Sequence, residues 1–397
     1  MTIGGLSTER LARLRSVMRE RVERGDAPGI VTAVSRQGET QIDTIGVKTL
    51  GTDDVMRRDT LFRIASITKP IMAVATLSLI EETRLRLDDP VDRWLPELAD
   101  RRVLKTLDGP IDDTVPANRA ITVRDLLTMR MGFGFILESG EFPIEEAARE
   151  LGVMPGPPAP QALPAPDEWI RRFGALPLMA QPGERWMYDT AFQVLGVLLA
   201  RAAHQPLELV LRERIFEPLG MNDTGFSVPA EARDRLATCY VADPETGALD
   251  LYDDVEDSQW RHPPAFPDAS GGLVSTVDDL LVFGQMLLDN GRAGNTRILS
   301  RPSVEAMTTS QITPEQRASA GFFLGDNRSW GFGVSMITRR DDVASVPGRF
   351  GWDGGFGTSL YVDPEEALVG VLLSQRMPPT ADISLDFWTS VYQAIDD

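Results

Sequence analysis

Ser66 and Lys69 stand three residues apart in Ala65-Ser66-Ile67-Thr68-Lys69-Pro70, and that pair could do nucleophilic chemistry. A serine hydroxyl attacks a carbonyl only when a base takes its proton. Proline is tolerated in the first turn of a helix, where backbone donors lack partners anyway. Pro70, followed by the helix-forming run IMAVATLSLIEE, therefore places a helix start close to Ser66. Residues i and i+3 share a helical face, so Lys69 can reach the Ser66 hydroxyl. The positive helix end favours a developing alkoxide, and the Ser66 N–H can point at an oxyanion. A lysine buried beside an apolar face can be uncharged at working pH, so Lys69 is expected to act as the base, as a neutral amine. Only Lys48, Lys69 and Lys105 are lysines among 40 basic residues. Unlike arginine, a desolvated lysine can give up its proton. The alternative is a chance match, although no other Ser-x-x-Lys occurs in the chain.

The elements that must position this pair follow from periodicity. Residues 7–25 read as an amphipathic helix capped by Ser7 or Thr8, with Leu11, Leu14, Met18 and Val22 on one face. Residues 29–35 and 40–46 read as strands of a hairpin turning at Gly38. Helices are expected over 66–82, 121–131 (ended by Gly132 and Gly134), 167–173, 191–203 and 207–216. A turn at Gly272 and a cap at Ser275 or Thr276 lead into a helix reaching residue 290. Residues 153–166 hold six prolines, so they form a stiff surface loop, either a linker or a lid. Near the C-terminus, 330–338, 357–362 and 368–373 read as strands, with turns at 348–351 and 363–366. Strands at both ends with helices between them predict one sheet assembled from the two termini.

Composition narrows the function. The chain has 397 residues, 42% of them apolar and 25% charged, enough for a substantial core. Its net charge of -19 repels phosphate backbones and anionic membranes, so neither nucleic acid nor membrane is an expected partner. One cysteine, Cys239, excludes an internal disulfide, and two histidines, His204 and His262, are too few for a His-rich metal site. Cys239 reads as a small buried residue, His204 as a helix C-terminal residue, and His262 as a loop residue that could line a pocket. No metal and no organic cofactor are expected. Apolar runs such as 194–200 and 367–373 reach about a third of a membrane span. Residues 1–17 lack a charged stretch followed by an apolar one, so a cytoplasmic location is expected. Gly331-Phe332-Gly333 lacks a phosphate-loop lysine, and the absence of Gly-x-Ser-x-Gly argues against a nucleophile elbow.

The run LFRIASITKPIMAVATLSLIEETRLRLDDPVDRWLPEL resembles the nucleophile segment of the β-lactamase-related serine hydrolases. That group takes in class C β-lactamases, D-alanyl-D-alanine peptidases and family VIII esterases. ITVRDLLTMRMGFG, QPGERWMYDTAFQVLGVLLAR, IFEPLGMNDTGF, GGLVSTVDDLLVFGQMLL and GRFGWDGGFGTSLYVDPEE extend the likeness over most of residues 20–375. The resemblance implies an α+β fold, an antiparallel sheet flanked by helices. Residues 1–65 and 270–397 would build it, 66–269 would form a mainly helical region, and the site would lie in the cleft between. The family's Tyr-x-Asn motif maps to Tyr188-Asp189-Thr190, implying that Tyr188 shuttles the proton. The asparagine that binds an acyl-side amide is replaced by Thr190, a candidate substrate contact. The family's Lys-Thr-Gly maps to Trp352-Asp353-Gly354, three further candidate substrate contacts. An indole there removes the cation that would hold a β-lactam or peptide carboxylate and offers an apolar wall instead. Asp353 would either repel anionic substrates or serve as a turn residue. The Gly355 N–H is implied as the second oxyanion donor beside that of Ser66. The resemblance thus implies a hydrolase cleaving small-molecule esters through an acyl-enzyme on Ser66. Amide or β-lactam hydrolysis, acyl transfer to an acceptor other than water, and a non-catalytic binding role stay open, as does the oligomeric state.

Overall fold

In the computed structural model, which describes residues 2–397, the two ends of the chain meet in one antiparallel sheet. Helix α1 (Thr8–Glu23) is capped by the Ser7 hydroxyl, which accepts the Arg10 N–H, and it buries Leu11, Leu14 and Met18. Strands β1 (Gly29–Arg36) and β2 (Glu39–Gly46) pair across Gln37 and Gly38, whose φ angles of 52° and 82° make the turn that matches strand twist. A 3-10 turn over Ala65–Ile67 leads into helix α2 (Thr68–Glu81), with Pro70 in its first turn as expected. Helix α3 (Thr190–Ala203) packs on α2; both bury nearly every side chain because they run through the middle of the helical region. Helix α4 (Val277–Leu288) is capped by Thr276. Strands β3 (Arg328–Trp330), β4 (Ser335–Ile337), β5 (Phe350–Gly354), β6 (Thr358–Asp363) and β7 (Leu368–Leu373) precede helix α5 (Ala381–Gln393).

The sheet order is β3-β4-β5-β6-β7-β1-β2, so the N-terminal hairpin is hydrogen-bonded to β7, with Val371 opposite Ala33. Helix α4 covers one face and α1 with α5 the other, which is why all eight residues of β1 are buried. Val369 and Val371 point to the α4 side, whereas Leu368 and Leu372 face α1 and α5. Gly370 lies against Trp388 of α5, where an added Cβ would come within 2.5 Å of the ring. No single described helix is long and apolar enough to cross a membrane.

Several local expectations need correction. The helix over 121–131 is only Val123–Leu127, because the chain turns at Met129, whose φ is 53°. The stretch 330–338 is not one strand: Gly333 (φ 72°) turns the chain between β3 and β4. The turn expected at 348–351 stops at Gly348, and Phe350 already pairs with Val362 as part of β5. Residues 381–393 carry a helix that periodicity did not single out, because its buried face forms only against α1 and β7.

Asp279, in the first turn of α4, makes stability depend on pH. Burial pushes its carboxyl up from 3.8 to about 6, against hydrogen bonds from Thr224 and the Asp223 N–H. The folded protein therefore holds a proton that the unfolded chain releases between those values. The resulting stabilisation is complete below pH ~4 and lost as the pH rises through 6. Both donors bond the same oxygen, which an amide retains. Asp279→Asn is expected to raise stability at pH 7 by about 2 kcal/mol with no gain at pH 4. Urea denaturation at the two pH values measures it, and equal effects at both would refute the assignment.

Candidate active site

Ser66 sits where three separated segments converge. Ala65, just before it, is buried with φ 46°, a conformation an L-residue holds only when its surroundings impose it. The imposing contacts are visible. The Ile64 N–H donates to Leu273 O (3.0 Å), and Ile64 O accepts the Thr358 hydroxyl of β6 (2.9 Å). Gly354 closes the end of β5 onto the same carbonyl; a Cβ there would lie 2.4 Å from Ile64 O. The Ser66 N–H precedes the first hydrogen bond of the turn, Ile67 N to Ile64 O (3.2 Å), so it is left for an incoming oxygen. The Gly355 N–H likewise bonds no carbonyl among the described residues.

Lys69 is fully buried one turn along, and its Nζ has three acceptors: Ser66 Oγ (3.1 Å), Asp189 Oδ1 (2.8 Å) and Ser270 O (2.7 Å). Three acceptors match the three protons of an ammonium; a neutral amine would donate to Asp189 and Ser270 and accept the Ser66 hydroxyl proton. Burial alone would lower the lysine's pKa, but the Asp189 carboxylate outweighs it and holds the value above its ordinary level. The ion pair with Asp189 thus favours the ammonium form of Lys69 over the uncharged amine expected from burial. Asp189 was passed over in the sequence, although an acid directly after the motif tyrosine and ahead of an apolar helix was the available signal. Its backbone is unusual, with φ 88° and ψ -72°, and this turns its side chain toward Lys69 at the start of α3. Behind it, burial and the charge of Asp189 push the Asp268 carboxyl up.

Tyr188 lies over the ammonium, with Lys69 Nζ 4.5 Å from its ring centroid. Its ring stacks on Phe323 (4.3 Å) and its hydroxyl oxygen accepts the Trp352 indole N–H at 2.7 Å. Burial pushes the phenol above its ordinary value, while the Lys69 charge and hydrogen bonds from Ser66 and Trp352 pull against that. Ser66, Tyr188, Asp189, Trp352 and Gly355 all open on one cavity of about 480 Å³, with Phe135, Phe323 and Phe356 as apolar wall.

The remaining candidates separate. Trp352, Asp353 and Gly354 border this cavity, but neighbours on a strand point to opposite faces. Accordingly, the Asp353 carboxylate accepts from Ser359 (2.6 Å) and Tyr361 (2.8 Å) and lies 3.5 Å from Arg328. It is a strand residue, not a turn residue. Thr190 is corrected outright: it is fully buried as the first residue of α3 and forms no part of the cavity wall, because the turn at Asp189 aims the preceding side chain at the site. The proline-rich segment contributes Gly156, Pro157 and Pro158 to the wall, and Tyr252 ties it down by donating to Pro158 O (3.0 Å). His262 is exposed and away from the cavity, and its carbonyl accepts Gln161 of the same segment. His204 ends α3 with φ 57°. Burial pushes the Cys239 thiol up to about 12, which leaves no nucleophilic thiolate. Among the described residues no group of three His, Cys, Asp or Glu is placed to hold a metal ion.

Comparison with known proteins follows the same lines. Residues 14–391 match the family described as Beta-lactamase. The uncharacterized protein MT1414 of Mycobacterium tuberculosis is 39% identical over 383 residues, 93% of this chain and 90% of that protein. Esterase EstB of Burkholderia gladioli is 31% identical over 91% of this chain and 90% of its own length. Among solved structures, EstCE1, described as a hydrolase with promiscuous acyltransferase activity, superposes with a TM-score of 0.81 at 24% identity, covering 96% of this chain and 98% of its own.

Proposed function

This chain belongs to the beta-lactamase family of serine hydrolases, and from that premise we propose that it cleaves carboxylic esters through an acyl-enzyme on Ser66. Ser66 Oγ attacks the ester carbonyl while its proton passes to the oxygen of Tyr188 in its tyrosinate form. The Lys69 ammonium, 4.5 Å from that ring, pulls against the burial that raises the phenol and so lowers the cost of the tyrosinate. The oxyanion is received by the N–H groups of Ser66 and Gly355. Tyr188 then returns the proton to the alcohol oxygen as the C–O bond breaks. Water enters, loses a proton to Tyr188 and attacks the acyl carbon, and Ser66 leaves with that proton.

The observation that carries the ester reading is the bond from the Trp352 indole to the Tyr188 oxygen. It puts an aromatic wall where the resemblance implies a lysine in the lactamases, and among the described residues no Lys or Arg borders the cavity. Burial of Thr190 supports it further, since no side chain there reaches a substrate amide. The esterase name of the relative at 31% identity agrees.

Steady-state kinetics with p-nitrophenyl butyrate and nitrocefin, joined to intact-protein mass spectrometry, test the reading. The expected result is a butyryl adduct on the Ser66 peptide and kcat/KM for the ester at least ~100-fold above that for the lactam. A nitrocefin rate rivalling the ester rate would overturn it. Added alcohol acceptors, with the products analysed, separate hydrolysis from transfer.

A further inference from the structure

A second cavity, of about 460 Å³, opens on the far face of β5 and shares Phe322, Asp353, Gly354 and Pro379 with the nucleophile cavity. The two cavities therefore adjoin across these residues. Their walls differ in kind. Where the first is aromatic, the second presents Arg328, Arg376, Asp353, Ser374 and Thr380.

The charges there do not cancel. Asp353 is saturated by the Ser359 and Tyr361 hydroxyls and neutralised by Arg328. Arg376 forms no ion pair among the described residues; one Nη donates to Pro378 O (2.6 Å), and its Nε is buried with no partner. The Thr380 hydroxyl is also buried without a partner, and it makes no capping bond to α5. In a chain of net charge -19, an arginine left without a counter-charge in a cavity wall is conspicuous. Buried donors are costly to leave unmade, and a guanidinium edge matches the two oxygens of a carboxylate.

We propose that this second cavity binds a carboxylate on the non-reacting end of the ester, with Arg376 as its counter-charge. The inference rests on the ester reading and adds a substrate class to it: esters of half-acids, or of alcohols that carry an acid. It lies on the opposite face of β5 from Trp352, so it does not replace the lysine that the indole displaces.

The test compares kcat/KM for paired esters. On the acyl side, p-nitrophenyl butyrate is set against mono-p-nitrophenyl glutarate; on the alcohol side, methyl 4-acetoxybenzoate against 4-acetoxybenzoate. In one pair the charged ester is expected to be preferred by at least ~10-fold, and which pair it is names the end that carries the acid. The preference ratio should fall at least ~10-fold in Arg376→Gln and recover in part in Arg376→Lys. Ratios at or below one in both pairs, or a ratio indifferent to Arg376→Gln, would overturn the proposal. A second readout needs no turnover: glutarate should raise the melting temperature of the wild-type protein, and less so at high salt. No shift at about 50 mM would count against the cavity. Failure to hydrolyse any ester while glutarate still binds would strike the Ser66 reading and leave the carboxylate site standing.

Discussion

Ser66→Ala is expected to lower kcat/KM for p-nitrophenyl butyrate by at least ~10⁴-fold and to abolish the acyl adduct, because no neighbouring group can replace the nucleophile. The other serine hydroxyl lining the cavity, that of Ser270, faces Asp189 (3.4 Å). Cys239 is buried with its thiol held protonated. The fold should survive, since Lys69 keeps two of its three acceptors, Asp189 Oδ1 and Ser270 O. A melting temperature within a few degrees of wild type would confirm that the loss is chemical. Residual turnover within ~10-fold of wild type would mean that the acyl group is carried elsewhere, and the proton-transfer scheme built on Tyr188 would fall with it.

Asp189→Asn carries the second large effect, and it tests the charge state of Lys69. With the carboxylate in place, the lysine pKa is held above its ordinary value, which favours the ammonium. With an amide, the largest attraction is gone and only Tyr188 and Asp268 still oppose burial, so the lysine pKa moves down. Tyr188 then loses the cation that opposes its burial, and kcat/KM should fall about 100-fold near pH 8. The sign of the pH response is specific. Activity that needs Lys69 charged declines as pH rises through the lysine pKa. The variant should therefore show a falling alkaline limb at lower pH than the wild type does. Removing one partner of a buried ion pair should also cost about 3–5 kcal/mol of stability, read by urea denaturation. If the variant were faster at neutral pH, a neutral Lys69 would be the better base and the ion pair a brake.

The parts of this protein legible in its sequence are those governed by local rules. Pro70 forces a helix start, and the spacing of Ser66 and Lys69 then fixes their shared face. Gln37 and Gly38 set the hairpin through their backbone conformation, and the sheet built from both termini followed from where alternating strands lie. Errors fell where a property depends on what packs against a segment. Helix α5 has a buried face only because α1 and β7 are there to cover it. Thr190 stood in a motif position that assigned it to the substrate, yet the backbone turn at Asp189 rotates it into the core.

Taken alone, the order of residues determined which atoms could react: a hydroxyl, an amine one turn away, a tyrosine in a recognisable context, and an indole where a cation would otherwise stand. Only the tertiary structure decided their states. Asp189 is 120 residues from Lys69 in the chain and Ser270 is 201, and these two partners favour the ammonium form of the amine. Arg376 is likewise an ordinary surface arginine until the fold encloses it in a cavity without an acid to pair with. The physical reason is the same in both cases. Residue type sets which charges a side chain can carry, but the free energy of carrying one depends on burial and on partners brought close through space, and these exist only once the chain has folded.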